Sequence, residues 1–113
     1  PPRSTLFPYT TLFRSNGVAV AYTKDFDPAM QVLTSQVADE LLDMKGVQAA
    51  FVAGRGKAST MISGRSMGQV NVQMILEKLG GGGHLTIAGA QLDASPEEAI
   101  HQVVRVMRDM KML

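Results

Sequence analysis

The chain has 113 residues, with 11 Lys and Arg against 10 Asp and Glu, two His, eight Met and no Cys. That length suits one domain around a single small core, and the lack of cysteine excludes disulfides and thiolate metal sites and fits a reducing compartment. No apolar run approaches the roughly 20 residues that a membrane-spanning helix needs.

Residues 5–15 spell Thr-Leu-Phe-Pro-Tyr-Thr-Thr-Leu-Phe-Arg-Ser, which reads as the translation of a widely used DNA-sequencing adapter in one open frame. The segment lacks the apolar stretch of a signal peptide. Residues 1–15 are therefore expected to be an artefactual, unfolded segment, and 16–113 a domain cut from the C-terminal part of a larger protein. Leaving 1–15 out removes Arg3 and Arg14 and turns the formal charge from +1 to −1. A chain so balanced has no basic face for duplex DNA, and any nucleotide contact must be local.

Gly17 to Thr23 is an apolar, partly β-branched run that predicts a buried strand. Asp27-Pro28 then predicts a helix start, with Asp27 as N-cap, Met30, Leu33, Val37, Leu41 and Met44 on one stripe, and Gly46 as the stop. Val47 to Ala53 and Thr60 to Ser63 predict two further strands joined by a hairpin loop at Arg55 to Ala58. Asn71 suits the cap of a second helix, whose stripe is Val72, Ile75, Leu76 and Leu79, ended by Gly80. Ala88 to Leu92 predicts a fourth strand. Ser95-Pro96-Glu97-Glu98 is a capping box with proline at the first helical position, opening a last helix that buries Ile100, Val103, Val104, Met107 and Met110. The order β-α-β-β-α-β-α predicts an α/β fold, a small mixed β-sheet with packed helices.

Gly80-Gly81-Gly82-Gly83-His84 is the most informative stretch. Each glycine costs roughly 0.5–1 kcal/mol in backbone entropy relative to alanine, so a run of them needs a reason. Capping accounts for Gly80 and a flexible linker would normally carry serine, with apolar elements less close on both sides. Bare backbone that lets amides converge on an anion is the remaining reading. A Walker-type phosphate loop is excluded, because the helix precedes the glycines and no Lys-Ser or Lys-Thr follows them. His84 supplies a donor at the rim, whereas His101 lies off its helix's apolar stripe. Arg65, with a planar fork suited to phosphate, joins the site only if the fold brings it to the loop; taken alone, Arg65-Ser66 reads as a solvated turn. Asp25-Phe26-Asp27 is a D-x-D pattern that elsewhere holds Mg²⁺ or Mn²⁺, yet capping accounts for Asp27 and no histidine lies near to complete a site. No catalytic cluster of carboxylates or hydroxyls is visible.

Gly64-Arg65-Ser66-Met67-Gly68, Val70-Asn71-Val72-Gln73, Leu79 to His84 and Ala88-Gly89-Ala90-Gln91-Leu92 together resemble the DHH-associated C-terminal domain of DHH-family phosphoesterases. The likeness covers nearly all of 17–113 and is strongest to the branch of membrane-anchored cyclic di-AMP phosphodiesterases. The Gly-Gly-Gly-His core is shared with RecJ-type nucleases and nano-RNases and does not choose a substrate. The resemblance implies a substrate-binding set of Arg65, Ser66, Asn71, Gly80, Gly81, Gly82, Gly83 and His84, with no catalytic residue and no metal ligand in this chain. It further implies a Mn²⁺ centre in a preceding DHH domain, a cyclic dinucleotide or short oligonucleotide as substrate, and pApA as product. The parent is expected to be anchored in the cell membrane and dimeric, with this domain on the cytoplasmic side. A soluble nano-RNase or 3′-phosphoadenosine phosphatase, and a free-standing nucleotide-binding module, are the alternatives.

Overall fold

The computed structural model describes residues 9–113. Its elements are β1 (Thr10–Ser15), β2 (Val18–Phe26), α1 (Met30–Leu42), β3 (Ala49–Arg55), β4 (Thr60–Ser66), α2 (Val72–Glu77), β5 (Gly82–Gly83), β6 (Ile87–Leu92) and α3 (Pro96–Asp109). The six strands form one sheet in the order β1-β2-β3-β4-β6-β5. Only β2 and β3 run parallel, because α1 carries the chain back across the sheet between them; the other neighbours are antiparallel. The mixed α/β sheet and the expected element order are present, with β1 and β5 added.

Strand alternation sorts the core into two layers. Ala19, Ala21, Ala50 and Val52 face α1, which meets them with Val37, Ala38 and Leu41. Small residues let this helix lie close: a Cβ on Gly54 would run into the Met30 side chain. Val18, Val20, Phe51, Ile62 and Ala88 face the other way and are covered by Val72, Ile75 and Leu76 of α2 and by Ile100, Val103 and Met107 of α3. Helix α1 packs chiefly on β3 and β4. On that side β6 and β5 stay open.

Several boundaries differ from the sequence expectation. Residues 1–8 lie outside the described residues, but 10–15 do not stay off the fold: they pair with β2 as an antiparallel edge strand. The cause is Asn16-Gly17, two residues at positive φ of 55° and 79°, which is the backbone a tight hairpin turn requires. Asp27 does not cap α1. Its carboxylate accepts the Ala29 N–H at 2.8 Å, making a local turn at 27–29, and the helix begins at Met30 after an N-cap residue, Ala29, that has no side-chain bond. Met44 falls beyond the helix and is exposed.

The other two helices start where expected. Asn71 Oδ1 accepts the Met74 N–H at 3.1 Å, and Ser95 Oγ accepts the Glu98 N–H at 3.1 Å. Helix α2 ends in a turn whose residue at positive φ is Gly80, with the Gly81 N–H donating back to the Leu76 carbonyl at 2.8 Å.

Candidate functional site

The uncovered part of the sheet forms a groove with a volume of about 650 Å³. The size is that of a small-molecule pocket. Its floor follows from strand register. Ser63 of β4 pairs with Gly89 of β6, and Gly89 pairs with Gly82 of β5. Directly paired residues share a face of the sheet, so these positions make a row with one small side chain and two bare backbones. Arg65 and Ile87 form the neighbouring row on one side, Met61 and Gln91 on the other. Gln31 and Ser35 of α1 form one wall, and Gly80 to His84 the opposite rim.

The glycines of the rim differ in what holds them as glycine. Gly80 and Gly83 adopt φ values of 85° and 146°, where side chains are strained. A Cβ on Gly81 would lie 2.7 Å from the Ala90 Cβ and against the Gly89 carbonyl oxygen. Gly82 has neither constraint: its φ is not in the left-handed region, and a Cβ there would meet nothing within 4 Å. Gly89 is also unforced, its nearest neighbour to an added Cβ being the Ile62 carbonyl oxygen at 3.4 Å. The fold itself needs neither of these two glycines.

Arg65 is the one permanently charged side chain lining the groove among the described residues. Strand β4 continues past Gly64 to Ser66, so Arg65 is not in a solvated turn but in the interior of the sheet, between Ala50 and Ile87. It reaches the groove because alternation puts Met61, Ser63 and Arg65 on the α1 side. The same alternation turns Ser66 to the opposite face. There it is 6% exposed, donates to the Val70 carbonyl at 2.6 Å and accepts from the Gly68 N–H at 3.2 Å, so it shapes the 66–70 turn and does not line the groove. Asn71 is likewise away from the groove, occupied as the α2 cap. His84 is exposed at the rim, fixed by its own N–H donating to the Ile87 carbonyl at 2.6 Å.

Behind the α1 wall lies a hydroxyl cluster that sequence reading missed. Ser63 Oγ is 2.7 Å from Thr34 Oγ1 and 3.0 Å from Ser35 Oγ, and Ser35 Oγ donates to the Gln31 carbonyl at 2.8 Å. Thr34 and Ser63 are buried. Thr34 Oγ1 also donates to the Gln31 carbonyl at 3.2 Å, which leaves Ser63 to donate its one proton to Thr34 or to Ser35. Thr34 and Ser35 were unremarkable in the sequence, since their meeting with Ser63 depends on how α1 crosses β4.

No three His, Cys, Asp or Glu side chains converge on a point that could hold a metal ion among the described residues. What the groove offers is the Arg65 guanidinium, bare glycine backbone, hydroxyls and space, while the N–H groups of Gly80, Gly81 and His84 already donate to the Glu77, Leu76 and Ile87 carbonyls.

The DHHA1 domain model matches residues 15–110. The chain belongs to the DHHA1 domain family. This DHHA1 domain is 48% identical over 96 residues to a cyclic-di-AMP phosphodiesterase, GdpP, of Geobacillus thermodenitrificans, in an alignment covering 83% of the chain and 15% of that protein. It is 46% identical over 91 residues to the cyclic-di-AMP phosphodiesterase PdeA of Listeria monocytogenes, covering 79% of the chain and 14% of that protein. The chain thus spans about one seventh of the length of these relatives. Among solved structures, an exopolyphosphatase-related protein from Bacteroides fragilis superposes with a TM-score of 0.75 at 18% identity, over 95% of this chain and 33% of that one, a likeness of fold. The family match begins at Ser15, where the adapter-like stretch ends.

Proposed function

We propose that the groove is the substrate-holding part of a cyclic di-AMP phosphodiesterase, in which a DHH domain of the parent chain carries the Mn²⁺ chemistry. The observation that carries this reading is the convergence of Arg65 and the Gly80 to His84 rim on a floor of bare backbone. Arg65 presents N–H donors to phosphate oxygens, and the open backbone at Gly82 and Gly89 lets a phosphate or a flat base lie against the sheet. His84 sits at the rim, where it can donate to a phosphate or stack on a base. Similarity of 46–48% to two cyclic-di-AMP phosphodiesterases supports the choice of ligand. Ser66 and Asn71 act indirectly in this reading, through the turn and the helix that precede the rim.

The chain's own residues bind and orient a dinucleotide; cleavage to pApA belongs to the parent. Pure chain with Mn²⁺ is expected to show no turnover of cyclic di-AMP, and turnover would overturn that assignment. Anchoring in the membrane, with this domain on the cytoplasmic side, and dimerisation are assigned to the parent. Among the described residues no helix is long and apolar enough to cross a membrane. Isothermal titration of the chain with cyclic di-AMP, pApA and a three-nucleotide RNA tests the ligand. Binding of the first two more tightly than the RNA is expected. Tighter RNA binding would favour a nano-RNase parent, and binding of none would sink the nucleotide reading.

A further inference from the structure

We propose that Asp39 is a positioning residue for Arg65, holding its guanidinium turned into the groove; this rests on reading the groove as an anion site. Arg65 rises from β4 on the α1 side with its side chain only 16% exposed. Its Nε lies 3.4 Å from Asp39 Oδ1, and its Nη1 donates to the Gly64 carbonyl at 3.0 Å. A guanidinium carries five N–H donors. Those two contacts hold it from behind and leave the other N–H bonds for a ligand. Asp39 belongs to the same α1 stripe as Gln31 and Ser35, one further turn along, but does not itself line the groove.

Stability does not explain the pair. Asp39 is 64% exposed, and an ion pair with one partner so wet contributes little to folding. Nor does the field of Asp39 favour an anionic ligand, since a carboxylate near the groove repels phosphate. What the pair does supply is preorganisation. A free arginine side chain must be immobilised when a ligand binds, and fixing it beforehand removes that cost. Orientation and field therefore act on affinity with opposite signs, which makes the assignment decidable.

The test is a double-mutant cycle on the full chain with cyclic di-AMP as probe, measuring wild type, Asp39→Ala, Arg65→Ala and the double variant by calorimetry. Asp39→Ala is expected to weaken binding about three- to tenfold at unchanged melting temperature, and in the Arg65→Ala background to bring no loss, only the small gain from removing a repelling carboxylate. The Arg65 Nε–H resonance is expected to be sharp in the wild type and to broaden or exchange faster in Asp39→Ala without ligand. Unchanged or tighter binding by Asp39→Ala, or an equal loss with and without Arg65, overturns the positioning role alone. No binding by wild type, or wild-type affinity in Arg65→Ala, overturns the reading of the groove and the positioning role with it.

Discussion

Gly82 lies directly across the β5–β6 ladder from Gly89, and neither position would crowd an added methyl group. Two unforced glycines in register on the floor of one groove leave room for something other than protein. Gly82→Ala and Gly89→Ala are expected to keep or raise stability, by about 0.5 kcal/mol through the unfolded chain, while weakening cyclic di-AMP binding by an order of magnitude or more. Gly81→Ala is the contrast: with Ala90 and the Gly89 carbonyl in the way, it should destabilise by about 1–3 kcal/mol. Urea melts and calorimetry on the same three variants separate the two behaviours. Undiminished affinity in both Gly82→Ala and Gly89→Ala would show that the ligand does not lie on this floor.

Asn71 separates a cap from a ligand contact. Because its Oδ1 accepts the Met74 N–H at the start of α2, Asn71→Ala should cost about 1 kcal/mol, or several degrees of melting temperature in a domain this small. Its affinity for cyclic di-AMP should stay within twofold of wild type. A loss of affinity larger than the loss of stability can account for would return Asn71 to the binding set.

Tyr9 reports whether the adapter-like segment is docked. Its hydroxyl reaches the Met30 sulfur at 3.6 Å, and burial, followed by the negative charges of Asp25 and Asp27, pushes its pKa from 10.0 up to about 12. The folded state thus holds the neutral phenol more strongly than the unfolded state does. The stability tied to this group is complete below pH 10 and is lost as pH rises toward 12. Absorbance titration at about 295 nm, wild type against Tyr9→Phe, should assign Tyr9 a midpoint near 12. A midpoint near 10 would mean that the segment does not rest on α1.

Ser63 joins the floor to the α1 wall. Ser63→Ala removes the shared partner of Thr34 and Ser35, and a buried hydroxyl deprived of a partner should destabilise by about 1–2 kcal/mol. The loss is expected as a lower urea midpoint with an unchanged slope. Thr34 keeps its contact to the Gln31 carbonyl at 3.2 Å, which holds the effect below that of a fully orphaned group.

Elements with local signals were legible in the sequence. Ser95 and Pro96 announce α3 because capping is chemistry between residues three apart. The hairpin at 55–58 likewise closes through Gly56 N–H to the Ser59 carbonyl at 2.8 Å. The expected strand at Thr60 to Ser63 stops short of β4, which runs on through Gly64, where an added Cβ would come within about 3 Å of the Phe51 ring. The two-residue β5 carries no periodicity to detect. For the groove, the glycine rim and Arg65 could be named from residue type. Which of Arg65 and Ser66 faces the groove depends on strand register, and the row of Ser63, Gly89 and Gly82 depends on pairing between strands far apart in sequence.

Strand β1 has a practical consequence. Cutting the chain back to Asn16 would remove the adapter-like residues and, with them, the strand that pairs with the outer side of β2 among the described residues. Strand β2 is nine residues long and rich in valine and alanine through its buried half. An unpaired edge of this length and character is a template for pairing with another chain. The tidier polypeptide would be the stickier one in the tube, and a replacement strand or an edge lysine on β2 is the remedy for anyone preparing it.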